Sequence, residues 1–100
     1  PMGATGSTLK TAMEIYRKRG NAKKYIAIHL IITPEYLRLV SEAAPELIVY
    51  AIRLDRGLSP KAVLDGPLGA DWDLEKGLND NQYIVPGAGG LGEVINNSYV

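Results

Sequence analysis

The chain contains no cysteine among its 100 residues, and its eleven basic and eleven acidic residues leave no net charge. The lack of cysteine excludes a disulfide framework and a thiolate metal site. A balanced charge gives no overall attraction to nucleic acid or to an acidic membrane, so any phosphate must be bound by a local arrangement. The longest apolar run, residues 25–33, is about half as long as a bilayer span requires. Nothing at the start of the given sequence resembles a signal peptide. The lack of cysteine is compatible with the cytoplasm, which is the expected location.

The chain begins with Pro1 instead of an initiator methionine, and a glycine-containing loop follows at once. We interpret the sequence as part of a longer protein whose upstream segment is missing. One hundred residues form one domain at most.

The first half of the chain predicts a helix followed by a strand. From residue 7 to residue 19, apolar residues recur at the spacing of one helical face: Leu9, Ala12, Met13 and Tyr16. Three basic residues end this helix, where the helix dipole favours them, and Gly20 stops it. Residues 25–32 are nearly all apolar and rich in β-branched side chains, which predicts a strand covered on both faces.

The second half predicts a helix, two strands and a long irregular segment between them. Thr33 and Pro34 are a hydroxyl cap and a first-turn proline, so a helix should run from there to about Ala43. Residues 47–52 form a second predicted strand, and residues 82–86 a third. Between them, residues 57–81 are an irregular excursion with about one helical turn, of a length that is usually functional or mobile. This alternation predicts an α/β fold with a parallel sheet, whose ligands bind at the carboxyl ends of the strands.

Two glycine loops are the candidate binding sites. Residues 3–8 read Gly-Ala-Thr-Gly-Ser-Thr and lead directly into the first helix, whose free amides can hold a phosphate. A capped helix start without a ligand is the alternative for this hexapeptide, and it is not a Walker loop. Residues 87–92 match G-x-G-x-x-G, but Pro86 and the short tail exclude a dinucleotide fold. Backbone there can instead approach a flat ligand closely, although a plain turn is the alternative.

Together the two loops resemble the uracil phosphoribosyltransferase family. Its phosphate motif reads Asp-Pro-Met-hydrophobic-Ala-Thr-Gly-Gly-Ser/Thr, and residues 1–8 here read Pro-Met-Gly-Ala-Thr-Gly-Ser-Thr. Its base-binding segment reads Tyr-Ile-Val-Pro-Gly-x-Gly-Asp-Ala-Gly-Asp, and residues 83–93 read Tyr-Ile-Val-Pro-Gly-Ala-Gly-Gly-Leu-Gly-Glu. The resemblance implies a Rossmann-like phosphoribosyltransferase fold, present as a partial domain. Residues 1–100 would be the carboxy-terminal part of that single domain.

The resemblance also implies a reaction and its site. The phosphoribosyl group of 5-phosphoribosyl 1-diphosphate would be transferred to uracil, giving UMP and diphosphate, with Mg²⁺ bound to the diphosphate. The residues implied for the 5-phosphate are Ala4, Thr5, Gly6, Ser7 and Thr8. Those implied for uracil are Tyr83, Ile84, Gly89, Gly90 and Leu91. A homodimer or larger homo-oligomer and a GTP effector are further implications, and the fragment alone should be inactive.

Three departures from the family pattern matter, and the second keeps another hypothesis open. The aspartate before Pro1 is missing, the base loop has Gly90 and Glu93 in place of the family's two aspartates, and the upstream half is missing. A truncated sequence explains the first and the third departure but not the second. Glu93 is therefore the candidate catalytic acid. The alternative function is a regulatory nucleotide-binding homologue without turnover, and another base specificity is a third possibility.

For several other polar residues a structural role is favoured over a catalytic or ligand-binding one. His29 lies within an apolar strand, which is typical of a core histidine rather than a catalytic one. Asp71 and Asp73 are interpreted as solvated loop acids, with a magnesium or lid role as the alternative. Three charged residues close the second predicted strand, where a surface ion pair is favoured over a ligand contact: Arg53, Asp55 and Arg56.

Overall fold

The computed structural model describes residues 2–88 of the chain. Three parallel strands form one sheet in the order β1 (Met2–Gly3), β2 (Tyr25–Ile32) and β3 (Leu47–Leu54). Helix α1 (Ser7–Arg19) connects β1 to β2, helix α2 (Pro34–Ala43) connects β2 to β3, and the short helix α3 (Lys61–Leu64) lies in the segment after β3. The predicted α/β class is confirmed.

Local signals set both long helices where the sequence predicted them. Thr33 caps α2 by accepting a hydrogen bond from the Tyr36 amide at 3.0 Å, with Pro34 in the first turn. Helix α1 carries its basic residues in the last turn and ends at Gly20. Arg17 in that turn pairs with Glu46 and donates to the carbonyl of Ala43, which ties the end of α1 to the end of α2.

The core lies between the sheet and the two long helices. Ile32, Tyr36 and Val40 are its buried centre, and Tyr36 is only 1% exposed. The partly buried residues packed around them are Leu9, Leu37, Leu47, Val49 and Leu54.

The opposite face of the sheet is open within the described residues. Its exposed apolar side chains all have even numbers and come from the two long strands: Ile26, Ile28, Leu30, Ile48, Tyr50 and Ile52. The prediction that β2 is covered on both faces is therefore wrong for residues 2–88, because α1 and α2 pack against each other on the same side.

The third strand is also not the predicted one. Residues 82–86 form no strand; Ile84 makes only an isolated antiparallel bridge with Leu78. The third position in the sheet belongs to β1, where Met2 and Gly3 pair with Ile31 and Ile32. None of the helices within residues 2–88 has the length and apolar character needed to cross a membrane.

Candidate functional site

The phosphate loop, residues 4–8, joins the end of β1 to the start of α1. Gly6 is the N-cap residue and has a φ of 87°, a left-handed conformation that glycine adopts without strain. The first intrahelical bond runs from the Lys10 amide to the Gly6 carbonyl, and Thr5 Oγ1 lies 3.0 Å from Ser7 Oγ. Within residues 2–88 the amides of Thr8 and the next residue have no hydrogen-bond partner. The loop therefore offers free amides and hydroxyls, which suit an anion.

Thr33, at the end of the central strand, holds this loop in place. Its amide donates to the Gly3 carbonyl at 3.0 Å, and its hydroxyl donates to the Ala4 carbonyl. The same oxygen accepts from the Tyr36 amide. Through these bonds the Thr33 side chain, which is fully buried, both caps α2 and holds the first turn of the phosphate loop.

The base loop is the segment that matches the family's base-binding motif, residues 83–93. It contains Tyr83 and Ile84, the two predicted uracil-binding residues that lie within the described part of the chain. The side chain of Asn79 shapes its start: Oδ1 accepts from the Tyr83 amide at 3.0 Å, while the Asn79 amide donates to the Tyr83 carbonyl at 2.9 Å. Val85 then exchanges backbone bonds with two glycines, donating to Gly77 and accepting from Gly57. The other predicted residues lie outside the described range: Gly89, Gly90, Leu91 and Glu93.

Asp55 and Arg53 hold the backbone of Gly87 at its amide and at its carbonyl. The Gly87 amide donates to Asp55 Oδ2 at 2.7 Å, and Arg53 Nη2 donates to the Gly87 carbonyl at 3.0 Å. The two side chains also pair with each other, with Arg53 Nε 2.6 Å from Asp55 Oδ1. Asp55 is only 3% exposed. The predicted ion pair exists, but its carboxylate is buried and positions the base loop, which the sequence interpretation missed.

The excursion at residues 57–81 is attached to the sheet edge by two further carboxylates. Glu35, in the first turn of α2, accepts from the amides of Gly77 and Leu78, both at 2.8 Å. Glu75, which is buried, pairs with Arg56 at 2.9 Å. These bonds bring the irregular segment back to the carboxyl end of β3, just before the base loop.

Asp73, one of the two aspartates that flank Trp72, lies in an exposed ion pair. Asp73 pairs with Arg38 at 3.0 Å and is 84% exposed at its side chain. No group of three or more potential metal-ligating side chains exists within residues 2–88. Asp73 is thus a solvated loop acid, and the alternative magnesium or lid role stays a prediction.

The sheet order brings the two loops to one edge. The phosphate loop follows β1 and the base loop is held at the end of β3, and all three strands are parallel. Only β2 separates them, so the loops lie about two strand spacings, or ~10 Å, apart. Thr33 bonds to the phosphate-loop side of this gap, while the Asp55 amide donates to the Ile32 carbonyl at 2.9 Å. One nucleotide can span that distance.

His29 and Tyr36 lie beneath the phosphate loop. His29 Nε2 is 2.6 Å from the Tyr36 hydroxyl, and both rings line a cavity of about 360 Å³ together with Thr5, Gly6 and Thr8. Burial lowers the pKa of His29 below its usual 6.5 and raises the pKa of Tyr36 to about 12. At neutral pH the pair is therefore an uncharged histidine bonded to an un-ionised phenol.

Comparison with known proteins identifies relatives of this segment. No family model matches the chain. It is 32% identical over 93 residues to a uracil phosphoribosyltransferase of Thermococcus kodakarensis, covering 93% of this chain and 32% of that protein. It is 34% identical over 98 residues to one of Campylobacter fetus, covering 98% of this chain and 37% of that protein. The chain thus spans about a third of the length of the curated relatives it matches.

A solved structure supports the same relationship at the level of the fold. The AQ2163 protein from Aquifex aeolicus superimposes with a TM-score of 0.68 at 30% identity, covering 93% of this chain and 35% of that one. The parallel sheet and its helices are therefore those of a partial phosphoribosyltransferase-like domain, as predicted. The predicted resemblance is confirmed: over about one third of their length, this chain is similar to proteins named uracil phosphoribosyltransferase.

Proposed function

We propose that the complete protein transfers the phosphoribosyl group of 5-phosphoribosyl 1-diphosphate to uracil, forming UMP and diphosphate. The observation that carries this proposal is the position of the two loops at one edge of the sheet, with a single strand between them. The proposal is also supported by the two motifs and by the names of the relatives.

In this mechanism the phosphate loop holds the 5-phosphate of the sugar substrate. The free amides after Gly6 face the dianion at the positive end of the helix dipole, and the hydroxyls of Thr5, Ser7 and Thr8 add further donors. No side chain of this loop is charged, so the helix dipole and the donors provide its attraction for phosphate.

The base loop orients uracil against the sugar. The backbone around Tyr83, Ile84 and Gly89 would read the edge of the base, and Gly90 and Leu91 would complete the slot. The base nitrogen attacks the anomeric carbon while the bond to diphosphate breaks, and the substrate enters as its magnesium complex. Charge builds up on the sugar ring, so positioning and electrostatics provide the acceleration. The base nitrogen loses its proton as it attacks, and the carboxylate of Glu93 is the candidate group to accept it.

The test measures diphosphate release by the complete protein with uracil, 5-phosphoribosyl 1-diphosphate and Mg²⁺. Thr5→Val should raise the KM for the sugar substrate more than the KM for uracil, and Gly89→Val should do the reverse. Thr11→Val, on the exposed side of α1, is the matched control and should change neither. Equal loss of affinity for both substrates in both variants would indicate misfolding and contradict the two-loop assignment.

The alternative function is a regulatory nucleotide-binding protein without turnover, favoured by Gly90 in place of the family's aspartate. Tight binding of ligands with no product would establish it and exclude the enzyme. Competition between uracil, hypoxanthine and adenine tests the base, and a purine preference would overturn the uracil assignment. A cytoplasmic location, self-association and a GTP effector remain predictions for the complete protein.

A further inference from the structure

Gly3 departs from the motif that the phosphate loop otherwise follows, since a hydrophobic residue stands there in the family. A Cβ at this position would lie 2.8 Å from Tyr36 Cδ2 and 3.0 Å from Ile32 Cγ2. Both distances are shorter than or at the limit of normal carbon contacts, and Tyr36 is buried in the core. The tyrosine ring therefore occupies the space next to β1 that a larger residue at position 3 would need.

The phenol that fills this space has a partner on the central strand. His29 Nε2 lies 2.6 Å from the Tyr36 hydroxyl, and the two rings meet edge to face with their centroids 4.8 Å apart. A buried hydroxyl without a partner is costly, so His29 makes Tyr36 tolerable in the core. This gives a specific role to a histidine that the proposed reaction does not use.

Tyr36 also contacts the structure that holds the phosphate loop. Its amide donates to Thr33 Oγ1, whose hydrogen is directed to the Ala4 carbonyl. A Cβ at Gly6 would lie 3.4 Å from the Tyr36 carbonyl oxygen. Tyr36 and His29 line one cavity together with Gly3 and Gly6, the glycines before and after the turn.

We propose that Gly3, His29 and Tyr36 form one positioning unit, in which the hydrogen-bonded histidine–tyrosine pair replaces a hydrophobic side chain beneath the phosphate loop and fixes the loop backbone for phosphate binding. The unit acts through the loop, and none of its members touches the substrate. Its phosphate-binding part rests on the proposed function, whereas its effect on the loop backbone does not.

The test compares Tyr36→Phe with wild type in the complete protein, using calorimetric binding of ribose 5-phosphate and of uracil. Loss of one buried hydrogen bond should weaken ribose 5-phosphate by about three- to tenfold. Uracil binding should not change, because the base loop lies two strand spacings away, ~10 Å. Tyr50→Phe makes the same chemical change on the open sheet face, where Tyr50 is 59% exposed, and should behave as wild type.

A second variant separates the pair from simple damage to the core. Replacing both partners by apolar groups removes the unsatisfied atom, so His29→Leu combined with Tyr36→Phe should bind ribose 5-phosphate better than Tyr36→Phe alone. Unchanged affinity in Tyr36→Phe, equal weakening of both ligands, or no recovery in the double variant would each overturn the inference.

Amide hydrogen exchange gives a measurement that needs no ligand. In Tyr36→Phe the amides of Lys10 and Thr33, which donate to the carbonyls of Gly6 and Gly3, should exchange faster, while the hydrogen-bonded amides of residues 77–85 should not. If wild type fails to bind ribose 5-phosphate, the proposed function falls, but faster exchange at these two amides still establishes the positioning unit. Unchanged exchange would refute the unit whatever the protein catalyses.

Discussion

Replacing Asp55 by asparagine tests the contact network that holds the base loop. The substitution keeps the size of the side chain but removes its charge. In the native protein the carboxylate pairs with Arg53 at 2.6 Å and accepts the Gly87 amide at 2.7 Å. An asparagine oxygen at the Oδ2 position could still accept from the Gly87 amide and from Arg53 Nη2, but both bonds lose the carboxylate's charge, and the contact between Oδ1 and Arg53 Nε is replaced by an amide NH2 that cannot accept.

The expected loss of stability follows from the burial of the two partners. Breaking a fully buried ion pair costs about 3–5 kcal/mol, and an exposed pair contributes about 0.2–1 kcal/mol. Asp55 is 3% exposed, but the Arg53 side chain is 50% exposed and regains hydration when the pair is lost. We therefore expect the free energy of unfolding to fall by about 2 kcal/mol through loss of the ion pair and by about 1 kcal/mol through the weakened hydrogen bond to Gly87.

Urea denaturation followed by circular dichroism measures this loss in free energy of unfolding. Asp73→Asn is the matched control, since Asp73 also pairs with an arginine but is 84% exposed, and it should cost less than ~0.5 kcal/mol. Because Gly87 belongs to the base loop, Asp55→Asn should also raise the KM for uracil more than that for the sugar substrate. If the two asparagine variants were equally stable, the buried carboxylate would have no special role and the reasoning would be refuted.

Three further changes test other contacts in the same way. Gly77→Ala should lower the free energy of unfolding by about 3 kcal/mol, because its Cβ would lie 2.2 Å from the Asp55 carbonyl oxygen. Gly20→Ala is the control, since a Cβ there would have nothing within 4 Å. Equal urea midpoints for the two variants would contradict the clash. Glu35→Gln should lower the free energy of unfolding by about 1.5–2 kcal/mol, since one of the two hydrogen bonds from backbone amides is lost. Hydrogen exchange at the Gly77 amide should accelerate, and unchanged exchange would count against this hydrogen bond. His29 has a pKa lowered by burial, so the unfolded state binds the proton more readily and stability should fall as the pH drops through 6.5. His29→Gln should flatten that slope, and an identical pH dependence in both proteins would exclude this linkage.

The helices and the two long strands could be predicted because their signals are local. The Thr33 cap, the first-turn proline and the run of basic residues before Gly20 each fix a helix end within a few residues of themselves. Strand β3 runs two residues further than predicted, to Leu54, because its pairing with β2 continues to Ile32.

The errors arise where pairing depends on distant residues. Strand β1 has only two residues, and it is a strand solely because it pairs with Ile31 and Ile32. Residues 82–86 have a strand-like composition, but their backbone groups bond to Asn79, Gly57 and Gly77 in a turn. Amino-acid composition alone does not distinguish the short strand β1 from the turn at residues 82–86.

The same distinction applies to the candidate site. The glycines and hydroxyls of the phosphate loop are visible as a motif, since they act within one turn. The carboxylates that hold the other loop are not, because Asp55 bonds an amide 32 residues away and Glu35 one 42 residues away. Their one sequence signal is position: each acid directly follows the carboxyl end of a strand or begins the helix after it.

The central strand explains how two loops made from distant parts of the chain keep a fixed separation. Strand β2 ends at Ile32, whose carbonyl accepts the Asp55 amide on one side, while Thr33 bonds Gly3 and Ala4 on the other. The gap between the loops is therefore set by backbone pairing across the sheet, together with the buried side chains of Thr33 and Asp55 that attach each loop to it. Changes to loop side chains can alter what each loop binds, whereas the spacing between the loops is determined by the sheet.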